Sequence, residues 1–547
     1  MQGNVALELS VLMAWSPVVV VLFRLLGRRR GTLAAVLGGY LLLPPVVLRM
    51  PGFFHFMAID KDVAIGLALT FAILIWDART LFRFRPSPLD VPMLALVAWG
   101  LVTSLLGQYV EWDVAGGIFR QRAWRLVPYI AARLYLSDTD GARRIAIGFV
   151  VASLALVPIV IFESFMGPSW YLRTRIYGFP ATEGMSNRLG GWRPEAFFDH
   201  GIGMASWLAL SAVLALWLWR GHSWRPRWGP AWGPTLALVL ATLATRGVYA
   251  YINLIVGVLL VLLTLSFRSR AMIVALALLS PLYMGLRISE IWDGQSLVTM
   301  AGKTGRASTV AVRIDCEDRM IGAVLDHNPA FGFGRPLGIA WGDKLVQIDP
   351  AADGAWLVYL WVGGLIGLSV WLVALHLWPV ALALIHPGER PRAEEVGNPV
   401  WGLALSLALH LLDSLHNNPV FSPATLAAGS IIGLTLGGPV AWTWAGQPQQ
   451  VRKASRVSRR GKRSQDEMTT SSIVEDETIM ADRHIGRDLL RLVAILAVLA
   501  IPEILGKLMG KGTGPPAAHA PGEFPPVKLE AIQTERRSIN PIAAPVK

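Results

Sequence analysis

Apolar runs of roughly 18 to 22 residues recur from the first residues of this chain to about position 438, each long enough to cross about 30 Å of hydrocarbon. Nothing else in the sequence constrains the fold as strongly. Barrel strands alternate polar and apolar residues over about ten positions, and these runs do not alternate. Only 16% of the 547 residues are charged and the mean hydropathy is +0.49, whereas soluble chains carry about 25% charged residues. The expected class is all-α: a polytopic membrane helix bundle.

The net charge of +13 is distributed in a way that suggests topology, not nucleic-acid binding. Basic clusters recur in short connections: GRRRG (27–31), RTLFRFR (79–85), GARR (141–144), RGHSWRPR (220–227), RSR (268–270) and GERPR (388–392). If all of them face the cytoplasm, every second connection is external, the N-terminus lies outside and the body crosses about 13 times. One cluster, RQRAWR (120–125), falls near an outer face against this trend. The apolar run VVVVLFRLL precedes its basic flank, the reverse of a cleavable signal. Cys316 is the only cysteine, so no intrachain disulfide can form.

Residues 1–445 read as the membrane body, with long external loops over about 167–200 and 288–352. Other connections are short, as bundle connections usually are, so function is expected in these two. Within the second, residues 308–327 have the pattern of an amphipathic helix lying along the membrane surface. Residues 446–485 form a polar linker whose basic part, RKASRVSRRGKR (452–463), suits anionic lipid. Residues 486–510 offer one more transmembrane helix, making about 13 to 14 in all. Residues 511–547 are a Pro/Ala-rich tail expected to be disordered.

The first long loop ends GGWRPEAFFDHG (190–201), which crowds Arg193, Glu195, Asp199 and His200 against the mouth of an apolar run. Singly they are explained by a solvated helix start, with Asp199 favoured by the helix dipole. Further arginines share the external half. Arg246 sits in a very short turn between two apolar runs, where a snorkelling anchor is the plainer explanation. Arg313 lies on the amphipathic helix, where a lipid headgroup would satisfy it, and Arg125 belongs to the discordant cluster. Together these cations suit a diphosphate, because guanidinium forks bind phosphate oxygens bidentately and stay charged.

Four stretches, in order, resemble the O-antigen ligase and O-antigen polymerase family: GWRPEAFFDHGIGMASWLAL, LATRGVYAY, LDHNPAFGFGRPLG and DGAWLVYLWVGGLIGL. The resemblance covers about residues 90–438. It implies a GT-C-like membrane glycosyltransferase in the bacterial cytoplasmic (inner) membrane with its active site facing the periplasm. Such an enzyme takes a glycan from an undecaprenyl-diphosphate carrier and attaches it to a glycan or lipid acceptor, among membrane lipids and other polysaccharide assembly proteins. Two departures matter: Glu195 stands where glycine is common, and Asp353-Gly354 replaces the histidine–asparagine pair of the ligases, which favours chain polymerisation.

On that reading Arg193, Arg246, Arg313, Arg125, Asp199 and His200 bind substrate. Asp353 is the first candidate for the base and His327 the second. As the residue before a helix, Asp353 also suits an N-cap. Trp356 and Trp361 are candidate sugar platforms, although interfacial tryptophan is ordinarily an anchor. The ten histidines are scattered and no metal or cofactor signature is visible, so neither is expected. The rival classes are a transporter of a lipid-linked or anionic glycan and a non-catalytic member of an export complex. Transporters favour related halves and midmembrane ionisable residues.

Overall fold

The computed structural model describes residues 5–49, 58–82, 84–106, 112–178, 187–188, 190–303, 307–334, 354–385, 397–417 and 422–437. The chain divides into Met1–Val498 and Leu499–Lys547. The second unit, the linker 446–485, the added helix 486–510 and the tail 511–547 all lie outside the described residues. The described part is an all-α bundle: α1 Val5–Leu42, α2 Lys61–Phe82, α3 Val91–Leu106, α4 Trp112–Tyr135 and α5 Thr139–Met166, then a short α6 Leu172–Tyr177. Next come α7 Gly201–Arg220, α8 Gly233–Ala244, α9 Val248–Phe267, α10 Ala271–Ile288, α11 Gln295–Gly302 and α12 Ala307–His327. The last are α13 Ala355–Leu372, α14 Trp378–Ile385, α15 Pro399–Asp413 and α16 Ser422–Thr435. Two antiparallel ribbons interrupt the helices, Leu48 pairing with Ile59 and Asn187 with Trp192. Among the described residues, seven helices are long and apolar enough to cross a membrane, and four shorter apolar helices accompany them.

The chain of α1 reverses at Gly27, whose φ of 75° suits a residue without a Cβ. Trp15 Nε1 donates to the Ala35 carbonyl at 3.3 Å, where an unbroken helix would hold these residues about 30 Å apart. The GRRRG cluster therefore caps a helical hairpin. Around it four of the other basic connections gather at one end of the bundle, while GERPR (388–392) lies outside the described residues. Arg28 pairs with Asp77 at 2.9 Å, Arg29 with Asp138 at 2.5 Å, and Arg143 Nε donates to the Ser223 carbonyl at 2.6 Å. Arg270 donates to the Leu384 carbonyl and stacks over Trp401. The same end holds a buried fork in which Arg133 donates to both Asp90 oxygens at 2.9 and 3.0 Å, while Ser87 and Asp90 form a capping box.

The two long connections leave from the opposite end. Between the ends runs α7, buried along nearly its whole length, as an all-round apolar helix must be. The α13 helix breaks at Gly364 (φ 62°). Tyr359 and Trp371 stack at 4.7 Å, although an unbroken helix would separate them by about 18 Å.

Candidate functional site

The 190–201 stretch is held by buried carboxylates, not by solvent. Glu163, near the end of α5, accepts from Leu172 N at 2.7 Å through one oxygen. Its other oxygen accepts from Glu195 N at 2.9 Å and Ala196 N at 2.8 Å. Ala196 is in the left-handed region (φ 47°), a conformation that persists only where surrounding bonds over-determine it. Arg173 on α6 pairs with Glu195 at 2.5 Å and donates to the Asp199 carbonyl at 2.7 Å. The Tyr171 hydroxyl donates to the Arg193 carbonyl. Burial and the Glu163 charge outweigh Arg173, and the Glu195 carboxyl is pushed up to about 7.

The solvated helix start is thereby corrected. Arg193 and Glu195 are buried, Glu195 to 1% exposure, and only Asp199 is exposed. The N-cap of α7 is His200, whose Nδ1 accepts from Ile202 N at 3.1 Å.

Arg246 closes the same segment from another side. It lies in the break between α8 and α9 with φ 55°, and its Nη1 donates to the Trp192 carbonyl at 2.6 Å and the Ser164 carbonyl at 3.3 Å. A Cβ on Gly191 would stand 2.3 Å from the guanidinium carbon, which explains the glycine in that position. The Arg193 side chain packs over Gly201, at the start of α7. Tyr251 is within electrostatic influence of both Arg193 and Arg246.

Arg313 joins them through the next helix. Its guanidinium stands 4.8 Å from the Tyr249 ring centroid and donates to the His416 carbonyl at 3.3 Å. The His416 ring stacks on Tyr249 at 4.6 Å. Burial, and then the Arg313 charge, pull the His416 imidazole down to about 4. The amphipathic helix carrying Arg313 is fixed by Glu317, which accepts from Arg287 Nε at 3.0 Å and Tyr283 at 2.9 Å. Burial raises the Glu317 carboxyl above the usual range.

Beneath this rim lies Asp413, 2% exposed. Its Oδ1 accepts from Ser206 on α7 at 3.0 Å, Asn253 on α9 at 2.7 Å and Asn417 at 2.7 Å. Its Oδ2 and the Asn417 Oδ1 have no partner among the described residues. Asn253 is one turn below Tyr249, so the carboxylate sits about 5 Å deeper than the cation–π pair. The site thus combines three arginines, a histidine held neutral and a buried carboxylate with one oxygen still able to accept.

Arg125 takes a different place. Its Nε pairs with Asp62 at 2.6 Å, and the Tyr40 hydroxyl also donates to Asp62. The neighbouring Lys61 donates to the Phe197 carbonyl, so Arg125 buttresses the segment from behind. His327 stands apart: it stacks on Phe333 at 4.5 Å, and Phe333 on Trp361 at 4.0 Å. Along α12 it is about 21 Å from Arg313. Trp356, at 0% exposure, donates to the Leu415 carbonyl at 3.2 Å and cannot face a sugar. Asp353 lies outside the described residues; at the start of α13, Ala355 N donates to the Asn417 carbonyl at 3.0 Å.

Sequence reasoning did not identify Lys61, Asp62, Glu163, Arg173, Asp413, His416 or Asn417. A signal existed for three of them. HLLDSLHNNP (410–419) sets ionisable and amide residues at the end of an apolar run, the pattern that singled out 190–201. Comparison with known proteins finds no family model, no curated protein and no solved structure that matches this chain.

Proposed function

We propose that this chain is a membrane glycosyltransferase of GT-C-like architecture. It transfers or polymerises a glycan from an undecaprenyl-diphosphate carrier onto an acceptor hydroxyl, at the outer face of the bacterial cytoplasmic membrane. With α1 taken as two arms, and α4 and the shorter apolar helices included, its body crosses about thirteen times. The observation that carries the reading is the gathering of three arginines at the end opposite the basic connections, Arg193 and Arg246 on the pinned 190–201 segment and Arg313 over Tyr249 and His416, above Asp413. A diphosphate leaving group needs fixed positive charge where its negative charge develops, and guanidinium groups already held by protein bonds supply that without reorganising. Positive-inside topology puts this end outside.

In the reaction, the acceptor oxygen bonds to the anomeric carbon as the carbon–oxygen bond to the carrier diphosphate breaks. The electron pair leaves on the diphosphate, facing the arginines. The hydroxyl proton passes to a carboxylate, for which Asp413 Oδ2 and Asp353 are the candidates. Replacement of the ligase histidine–asparagine pair by Asp353-Gly354 favours polymerisation. The test is lipid-linked oligosaccharide analysis in a deletion strain. An accumulating single repeat unit is expected; unchanged lipid-linked and surface glycans would refute the reading.

One observation favours the transporter reading. His376, in a π-helical turn, meets His410 at 3.0 Å between ring nitrogens, fully buried within the bundle, and intramembrane ionisable groups often mark transport paths. Purified protein in detergent separates the two classes, since glycan transfer needs no second compartment and transport does.

A further inference from the structure

At the end where the basic connections gather, the first arm of α1 and the last turns of α2 form a cleft on the outside of the bundle. Trp76 spans it: its Nε1 donates to the Val20 carbonyl at 2.8 Å, which fixes the ring against α1. The Arg24 guanidinium lies over that ring, 5.1 Å from its centroid. Arg28, just past the reversal at Gly27, has its Nε 2.9 Å from Asp77 and its Nη2 3.5 Å from the Trp76 carbonyl. Asp77 is held in turn, accepting from the hydroxyls of Thr80 at 2.7 Å and Tyr135 at 3.2 Å. Arg79 follows two residues later and is exposed, as are Arg24, Arg28 and Trp76.

Snorkelling explains a cation at a membrane boundary whose long side chain reaches for water with no fixed contact. Arg24 and Arg28 differ from that. A ring locked by its own hydrogen bond holds the first, and a carboxylate pinned by two hydroxyls holds the second. The three arginines face one aspartate, which leaves two positive charges uncompensated in one cleft. Beside the cations, and on into the bilayer, the outward residues are apolar: Val21 and Leu25 on α1, Phe71 and Ile75 on α2. Exposed apolar side chains are ordinary where helices meet lipid. A fixed two-charge cleft at the head of such a stripe is not.

We propose that this cleft binds an anionic phospholipid of the cytoplasmic leaflet, with a cardiolipin-type, two-phosphate headgroup on Arg24, Arg28 and Arg79 and its acyl chains along the apolar stripe. Basic pockets between transmembrane helices on the cytoplasmic side suit such headgroups, and guanidinium forks take phosphate oxygens bidentately. Two phosphates match the two uncompensated charges, whereas a single phosphate leaves one unanswered. Positive-inside topology places the cleft in that leaflet. It lies at the opposite end from the Arg193–Arg246 rim and does not depend on glycan chemistry, so it holds for enzyme and transporter alike.

The test titrates the full chain in detergent with cardiolipin, phosphatidylglycerol or phosphatidylethanolamine and counts bound lipid by native mass spectrometry. One cardiolipin should bind about tenfold tighter than phosphatidylglycerol or more, and phosphatidylethanolamine should not compete. Arg24→Gln with Arg79→Gln removes the two charges, keeps the Arg28–Asp77 pair and should weaken cardiolipin binding by about tenfold or more. Arg24→Lys with Arg79→Lys keeps the charge and should bind within about threefold of the parent, which guards against misfolding. Arg220→Gln with Arg225→Gln, exposed residues at the same end, should bind as the parent does. Equal loss in the two glutamine pairs would reduce the effect to the general positive charge of this end and overturn the proposal. Phosphatidylglycerol binding as tightly as cardiolipin, or undiminished cardiolipin binding without Arg24 and Arg79, overturns it too.

Discussion

Arg246 reaches across from the break between α8 and α9 to donate to the Trp192 carbonyl at 2.6 Å, with its own backbone in the left-handed region at φ 55°. A non-glycine residue there is strained, and such strain collects where surrounding bonds enforce a functional geometry. The relationship makes Arg246 both a cation and the clasp of the segment carrying Arg193.

Replacing Arg246 or Arg193 by lysine should therefore cost nearly as much turnover as replacing it by alanine, because an ammonium cannot reproduce a planar fork. Gly191→Ala should also lose about tenfold or more, since misplacing a positioned group by about 1 Å has large kinetic effects. Glycan transfer by purified variants of matched thermal stability measures both. A lysine variant with most of its activity would reduce these sites to generic positive charge.

For Asp413, the informative change is to asparagine. The three donors on Oδ1 keep an acceptor in the amide oxygen and the side chain keeps its shape, so the fold should hold. A carboxylate that takes the acceptor proton should lose about 10²-fold in turnover or more. Asp353→Asn is the companion measurement. Normal turnover in Asp413→Asn together with loss in Asp353→Asn would move the base to residue 353.

Two groups predict opposite pH responses in the melting temperature. Glu195 titrates at about 7 against an ordinary 4.5. Its raised value contributes stability fully below 4.5, and that contribution is lost as the pH rises through about 7. His416 is depressed from 6.5 to about 4. Its contribution is full above 6.5 and is lost as the pH falls through about 4. Glu195→Gln should flatten the loss on the alkaline side, and His416→Gln the loss on the acid side. An unchanged profile in either variant contradicts the burial ascribed to that group.

Ending the chain near residue 446 should leave product formation measurable, because the removed part comprises a polar linker, one added apolar run and a low-complexity tail. Complete loss at normal membrane abundance would assign the added helix to the working fold.

Chelation is the simplest check on the electrostatics. If fixed arginines stabilise the departing diphosphate, transfer should proceed at an unchanged rate in excess EDTA. Abolition by EDTA and rescue by magnesium would show that a metal ion does this work instead.

Much of the fold was legible because membrane insertion is a local rule. Long apolar runs announce helices, and basic connections announce the end they share; Arg28–Asp77 and Arg29–Asp138 join clusters that were paired from charge alone. The short turn at Arg246 was legible too, being framed by two apolar runs. The partners of Glu163 were not, because a glutamate interrupting an apolar run gives no sign that it will bind backbone at positions 172, 195 and 196. The amphipathic helix over 308–327 was legible as well, and it sets Arg313 and His327 about four turns apart.

The sequence by itself determined a helical membrane body, its alternation of ends and the end on which polar residues collect, since each is dictated by the cost of putting charge or unpaired backbone into hydrocarbon. Only the tertiary structure decided which of those residues meet. It buried Glu195 against Arg173, made His200 and not Asp199 the cap, and brought Asp413 from α15 to Ser206 on α7 and Asn253 on α9. Hydrogen bonds between helices depend on the packing of side chains distant in the chain, and no local pattern encodes that packing.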